Sequence, residues 1–596
     1  MAQDKKQSFM KGAAILSAST LLVKLLGLLF SIPLANFIDP EGMSHFYIAY
    51  NIFGLFLMLS TAGLPVAVSR MVGTATSQGR LREADRVFSV AFWLFFFLGL
   101  FGCLVMFFGA NQIAQWYGSP ESNFAIMALA PTLFFISIES SIRGYFQGRS
   151  NMVPTATSQT IEAVTKVIIG VGLAFYIIQN FEVDRDRWAA VGAIVGVSVS
   201  AGLGAIYLLG CKFVQGRRDR RGLGEEEPLT SRQQTLINLV RFAVPITIGS
   251  CFLSLLDTID GAILMQRLQT GAGFTQDMAD WWNGTLGNAR KFFDLPGAFV
   301  VPISTSLLPV LSGAIASKDH RQVDRISSTA LRVTLLIGVP ASVGMALFAQ
   351  PICQLLLYNQ PEVAQEAAPL LTMLSIAIAF SGLLFTTNSI LQSFGRTTQP
   401  VIDMAVGGVV KVALSYVLIG IPQVAAMGSA ISTVASYVVM VVLNLIAIRS
   451  SLPRMDSVVR TALPLLLSAG VMGGVSYGFY WLLAQFISPR LAVIPAILLA
   501  IAVYAVCVVL FKGVSYDDVV MLPKGQALAR LFRMRPEEPQ RPLSVEESAQ
   551  PLPAGETASQ EAAPQEALQE EAPRQAPAPA QAKRARGGKY IPRHMR

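Results

Sequence analysis

The sequence predicts an all-α integral membrane protein with fourteen transmembrane helices, on three observations. Of its 596 residues 53% are hydrophobic and 14% charged, against about 25% charged in an ordinary soluble domain, and the mean hydropathy is +0.52. Uncharged apolar runs of about 18 residues or more recur along most of the chain, each long enough to span a bilayer. Period-two alternation, the mark of an outer-membrane barrel, is absent, and backbone groups in hydrocarbon are most economically paired within helices. A stack of soluble domains is excluded.

In chain order the apolar segments are 12–37, 45–69, 87–110, 122–142, 154–178, 188–211, 236–264, 294–316, 330–357, 366–392, 400–421, 425–448, 459–485 and 490–511. The first lacks a small-residue cleavage site and is followed by many more, so it reads as a membrane helix and not a removed signal peptide. Lys and Arg in alternate connections give the orientation. Connections after odd-numbered helices hold six (Arg185, Arg187, Arg267, Arg290, Lys291 and Arg490), while the N-terminus and the even-numbered connections hold more than three times as many. Both termini are therefore expected in the cytoplasm, with the chain in the cytoplasmic membrane.

An internal repeat divides the chain. Gln147 and Lys166 stand nineteen residues apart in FQGRSNMVPTATSQTIEAVTKV, and Gln392 and Lys411 stand nineteen apart in LQSFGRTTQPVIDMAVGGVVKV. A second echo pairs Leu64-Pro65-Val66 and Asp85-Arg86 with Leu308-Pro309-Val310 and Asp324-Arg325. Both copies start with an odd-numbered helix entering from the cytoplasm, so the repeats are parallel. The expected organisation is a cytoplasmic N-terminus (1–11), a first lobe of helices 1–6 (12–213) and a basic loop (214–235) containing Arg217, Arg218, Arg220 and Arg221. A pseudo-symmetric second lobe of helices 7–12 (236–448), two extra helices (459–511) and a cytoplasmic tail (512–596) follow. Residues 537–573 carry nine acids against Arg541, and 574–596 carry seven bases and no acid. Rich in Pro, Ala, Glu and Gln, the tail cannot bury a core and is expected to be disordered.

Charges inside apolar segments mark the candidate site, because each costs about 2.5–3.5 kcal/mol at the bilayer centre on insertion scales. Lys24 lies in the middle of segment 1. Glu139 with Arg143, and Glu162 with Lys166, stand at i,i+4 and share helix faces. Asp257 and Asp260 lie deep in segment 7, and Asp403 and Lys411 in segment 11. Arg70, at a cytoplasmic helix end, can snorkel. Lys24, Arg70, Arg143, Glu162, Lys166 and Lys411 are the candidates for a cationic cavity that takes an anionic headgroup such as a pyrophosphate. Asp257, Asp260 and Asp403 are the candidates for a coupling-ion site, by sodium ligation through oxygen or by protonation. Bland readings stand beside these: the i,i+4 pairs as self-neutralising glue between helices, and the aspartates as partners of Lys411.

Catalytic chemistry has no foothold. His45, His320 and His594 are far apart, the five cysteines show no CxxC or Cys/His spacing, and no nucleotide-binding or hydrolase motif occurs. No enzyme, no cofactor and no resident metal are expected, which leaves a coupling ion (sodium or a proton) or the membrane potential to drive any directional movement. The net charge of +9 belongs to residues 1–533, because 534–596 hold nine bases and nine acids. The positive-inside bias accounts for it, and nucleic acid is not an expected partner.

Fourteen helices, two repeated halves, the opening ILSASTLLVKLLGLLFSIPLANFI and the segment GYFQGRSNMVPTATSQTIEAVTKV together resemble the polysaccharide-transport branch of the MOP (multidrug/oligosaccharidyl-lipid/polysaccharide) flippases. Within that branch the likeness is to the stage V sporulation protein B type, which includes MurJ-like lipid II flippases. The resemblance implies a MATE-like, two-lobed, V-shaped monomer that moves undecaprenyl-pyrophosphate-linked glycans between leaflets for cell-wall, polysaccharide or spore-cortex synthesis. Its implied partners are the lipid-linked oligosaccharide, membrane lipids and, through the tail, cell-wall or sporulation machinery. Relatives of the lipid II type line the cavity with bases from helices 1, 2 and 8. Here Lys24 matches the first, Arg70 is the only offer from helix 2, and segment 294–316 holds none. An ion-coupled multidrug or cation exporter of the same superfamily is the alternative. Truncation after Leu531 is expected to leave transport intact, measured as rescue of cells depleted of their own lipid II flippase at equal protein level.

Overall fold

The computed structural model describes residues 2–61, 63–220, 230–452 and 458–514. The expectations for Arg221 and for the tail beyond residue 514 fall outside them. Among the described residues the fold is wholly helical. The first half comprises α1 (Ala2–Phe37), α2 (Pro40–Thr61), α3 (Leu64–Ser77), α4 (Leu81–Phe108), α5 (Ala110–Tyr117), α6 (Asn123–Gly148), α7 (Val153–Thr165), α8 (Gly172–Asn180) and α9 (Arg185–Arg220), with a π-helical turn, Lys166–Val171, joining α7 to α8. The second comprises α10 (Arg232–Thr270), α11 (Gln276–Ala316), α12 (His320–Leu347), α13 (Ala349–Leu356), α14 (Pro361–Ser393), α15 (Thr398–Ile419), α16 (Met427–Ser451), α17 (Val458–Leu483) and α18 (Pro489–Leu510).

Local chemistry sets several boundaries. Side chains of Ser231, Thr275 and Asp319 accept the backbone N–H three residues on and so cap α10, α11 and α12. Pro65 stands at the second position of α3, where its missing N–H has no intrahelical partner to lose. The expected single segment 45–69 is therefore two helices. Pro131 and Pro340 lie inside continuous α6 and α12.

Eleven stretches among the described residues are long and apolar enough to cross a membrane. The described helices fall on the fourteen apolar segments. α11 begins at Gln276, not near residue 294, and its first half carries Asp277, Asp280, Arg290, Lys291 and Asp294. Arg290 and Lys291, assigned from sequence to an outer connection, lie well inside this helix.

Burial is unequal along the bundle. At the end where α1 stops and α2 starts, one apolar core joins both halves, taking in Leu34, Ile48, Tyr117 and Leu129 from the first and Leu264, Leu286 and Leu371 from the second. At the opposite end the core around Leu311, Leu335 and Leu391 is the second half's own, while the core around Val68, Phe95 and Tyr145 takes in Leu239 and Ala243 of α10 beside the first-half helices. Polar contacts reinforce the shared end: Ser44 donates to Asp280 at 2.6 Å, Tyr47 to Asn288 at 2.8 Å and Asn36 to the Leu356 carbonyl at 2.7 Å. The halves are thus joined by one broad core at one end and through α10 at the other.

The sequence repeat returns as helix register. Gln147 is the penultimate residue of α6 and Gln392 of α14, while Lys166 lies thirteen residues after the start of α7 and Lys411 thirteen after the start of α15. The π-helical turn after Lys166 packs without side chains against α9: a Cβ on Gly196 would sit 2.3 Å from the Gly170 Cα. Helix backbones approach this closely only through small residues. Gly196→Ala is expected to lower the thermal unfolding midpoint of the detergent-solubilised protein, by about 1–3 kcal/mol of overpacking. Gly172→Ala, with open space around its Cβ position, is the matched control that leaves the midpoint unchanged or raises it.

Candidate functional site

The first half encloses a cavity of about 370 Å³ lined by Lys24 of α1, Tyr50 of α2, Arg143 of α6, Gln159 and Glu162 of α7 and Lys166 of the π-helical turn. Four of the six expected headgroup contacts, Lys24, Arg143, Glu162 and Lys166, therefore meet. Helical periodicity explains the convergence, since charges placed once or twice per apolar helix can avoid lipid only by facing inward. Lys24 makes no ion pair among the described residues. The Lys166 ammonium lies 4.8 Å from the centre of the Phe30 ring, a cation–π contact and not the expected bond to Glu162. The helix widens from Lys166 onward, and π-helical turns recur at functional positions.

Arg143 is held from two sides. It meets Glu139 at 2.8 Å from one turn back on its own helix, and Glu162 across the α6–α7 interface, and it also donates to the Ser158 hydroxyl. Glu139 is fully buried behind it. The two i,i+4 pairs read from sequence are thus one triad, two carboxylates on one guanidinium, with Lys166 left to the cavity.

Across the gap α11 supplies what the sequence reading missed. The Lys291 ammonium stands 5.8 Å from the Tyr47 ring centre and within electrostatic reach of Lys166. Asp294 lies within the fields of Lys291, Arg290 and Lys24 together. The segment that offered no base to the cavity was cut too short. Trp281 and Trp282 were the available signal, because paired tryptophans mark a membrane interface and put the helix start well before residue 294.

The second half holds a buried ionic cluster. Asp260, fully buried, accepts from Arg290 at 2.6 Å, Ser415 at 2.7 Å and Ser429 at 3.1 Å, with Lys411 at 3.4 Å. Lys411 also meets Asp257 at 3.4 Å. Two cations and two hydroxyls thus occupy the carboxylate of Asp260. Asp403 does not join it. It accepts from Gln399 at 2.8 Å and lies eight residues from Lys411 on α15, about 12 Å along the axis. The three aspartates are not one ion site in this arrangement, and no group of three metal-ligating side chains occurs among the described residues. Arg70 and Lys411 lie outside the cavity lining: Arg70 stacks on Phe242 at 4.6 Å, and Lys411 belongs to the aspartates.

The model of the polysaccharide biosynthesis protein family matches residues 9–315, and that of the MatE family matches residues 284–417. Stage V sporulation protein B of Bacillus subtilis (strain 168) is 25% identical over 525 residues, covering 87% of this chain and 98% of its own length. The lipid II flippase MurJ of the same organism is 24% identical over 498 residues, covering 80% and 90%. Among solved structures, a lipid II flippase MurJ in an inward closed conformation superposes with TM-score 0.63 at 17% identity, covering 85% of this chain and all of its own. An inward-facing multidrug resistance MATE transporter of the MOP superfamily gives 0.60 at 15%, covering 74% and 100%. The fold is that of the MurJ and MATE transporters, and the chain is a multi-pass membrane protein.

Removing Asp260 would strand Arg290 and Lys411 in the bundle. Asp260→Ala is expected to destabilise by about 3–5 kcal/mol, the range for a buried ion pair that loses one partner. The readout is the folded fraction recovered from membranes and its unfolding midpoint, with Asp257→Ala, whose carboxylate is largely exposed, as the mild comparison.

Proposed function

We propose, for a chain that belongs to the polysaccharide biosynthesis protein family, that it flips undecaprenyl-pyrophosphate-linked glycan precursors from the inner to the outer leaflet of the cell membrane by alternating access, with lipid II the leading cargo. The observation that carries this reading is the excess of positive charge in the cavity. Arg143 is taken up by Glu139 and Glu162, which leaves the Lys24 and Lys166 ammonium groups to the cavity, and Lys291 faces them from the other half. A diphosphate is the part of such a cargo that lipid rejects most strongly, and desolvated ammonium groups on low-dielectric walls attract it. Lys24, without an ion partner, is the first contact for the diphosphate, with Lys166 and Lys291 behind it; Arg70 is a contact on the way in.

Access follows from the cores. The halves share one broad apolar core at the end expected outside, whereas at the end expected inside only α10 crosses from the second half into the first half's core, which supports an inward-open resting state with both termini cytoplasmic. Rocking of one half against the other would break the broad shared core and close the halves at the other end. The relatives named as flippases support a transporter and not an enzyme. Directionality then needs a coupling ion or the membrane potential.

The exporter reading calls for a carboxylate facing the cavity to hold a cationic drug. Asp260 is taken by two cations, and Glu162, which does line the cavity, shares Arg143 with Glu139, so it is the lysines opposite it that favour the anionic cargo. The discriminating experiment is rescue of cells depleted of their lipid II flippase. The chain is expected to rescue, Lys24→Ala to abolish rescue with normal membrane insertion, and Lys24→Arg to give partial rescue, because a planar guanidinium does not replace an ammonium in geometry. Failure to rescue, with gained resistance to cationic dyes, would establish the exporter instead.

A further inference from the structure

The triad behind the cavity is short of positive charge. Glu139 and Glu162 share Arg143, and both carboxylates come within 3.0 Å of the point that a Cβ on Gly204 of α9 would occupy. Only a glycine leaves room there for two acids side by side. Apart from the Arg143 ion pair, both oxygens of Glu139 are buried without a hydrogen-bond donor. No other cation reaches the pair among the described residues. Lys24 on α1 and Lys166 on the π-helical turn face the cavity, the latter against Phe30, and Lys291 of α11 lies beyond them. Arg70 of α3 stacks on Phe242, and Asp85 of α4 is paired with Lys212 of α9 at 2.6 Å. Tyr50 of α2 is the remaining titratable group lining the cavity. Two carboxylates crowded together with one counter-charge form the arrangement in which one proton is shared.

We propose that Glu139 and Glu162 form a proton-binding site whose occupancy governs Arg143. With both acids ionised, Arg143 is clamped between them and turned from the cargo. A proton from the aqueous phase, landing on a carboxylate oxygen of the pair, discharges one of the two anions and loosens its ion pair. The guanidinium is then available to the diphosphate in the same cavity, at bidentate geometry suited to phosphate oxygens. No covalent bond other than the O–H of that carboxyl forms or breaks. Proton uptake and anion binding are thereby linked, each strengthening the other by the same factor. The inference rests on the anionic-cargo reading above and places proton coupling in the first half, away from the aspartates of the second.

The test uses the full chain in lipid nanodiscs and farnesyl pyrophosphate as the probe, with the dissociation constant and the protons taken up on binding measured between about pH 6 and about pH 8. The probe's own ionisation is common to all variants, so differences between variants report the protein. Wild type is expected to take up close to one proton more per bound probe than Glu162→Gln, and to lose affinity with rising pH by up to about tenfold per unit more than that variant. Glu139→Gln should behave alike, and Glu162→Gln, at a partly exposed position, carries the test if the buried variant does not fold. Equal proton uptake and equal pH dependence in wild type and variant would overturn the proton site while leaving the cargo reading intact. Absence of probe binding by folded wild type at any pH would overturn the cargo reading and this inference with it.

Discussion

A charge inside a bundle that lipid surrounds must be matched by another charge or reached by water, and the two halves meet that demand in different ways. In the second half the match is complete at Asp260. Asp260 collects Arg290, Lys411 and two hydroxyls, so α10, α11, α15 and α16 are tied at one buried point. In the first half it is incomplete by design of the cavity: Lys24 and Lys166 face open volume, and only Arg143 is fully engaged. The saturated cluster has the composition of a structural tie, and the unsaturated one that of the anion receptor proposed above.

The arrangement of cores gives that receptor its geometry. Where the halves share a core, close backbone contacts tighten it further. The Pro40 carbonyl lies 1.8 Å from where a Cβ on Gly284 would stand, so no larger residue fits there without parting α2 from α11. At the other end the contact between halves narrows to α10, whose Leu239 and Ala243 join the first half's core. The cavity sits in the first half beside the gap, facing the α11 charges, so motion between the halves changes the distance between Lys24 and Lys291.

Much of this was legible in the sequence. The helical class and most segments follow from hydropathy alone. Lys24, Arg143, Glu162 and Lys166 could be picked out because a charge in an apolar run is conspicuous. What periodicity could not convey was pairing across helices: Arg143 reaches Glu162 nineteen residues away as well as Glu139 on its own helix, and Asp260 meets Ser415 at a separation of 155 residues. The start of α11 was misplaced because its first half mixes Asp, Arg and Lys with aromatics, which lowers hydropathy below that of a lipid-facing helix. The chain packs this half of α11 against α2 and α10, with Asp280 buried against Ser44 and Arg290 paired to Asp260, while Asp277, Lys291 and Asp294 stay exposed. Grouping Asp403 with the other aspartates failed for a simpler reason, since sharing a helix with Lys411 does not bring side chains two turns apart together.

Lys166 and Lys411 hold the same register in the two repeats, yet their surroundings have diverged. One rests on an aromatic ring beside an open cavity, and the other is locked between two aspartates. If both descend from one ancestral lysine, the ancestral homodimer would have presented two equivalent cationic sites to a single cargo. Under the proposed function the asymmetry then separates the two halves: substitutions around α1, α6 and α7 would retune recognition, whereas those around α15 and α16 meet the packed ionic cluster at Asp260.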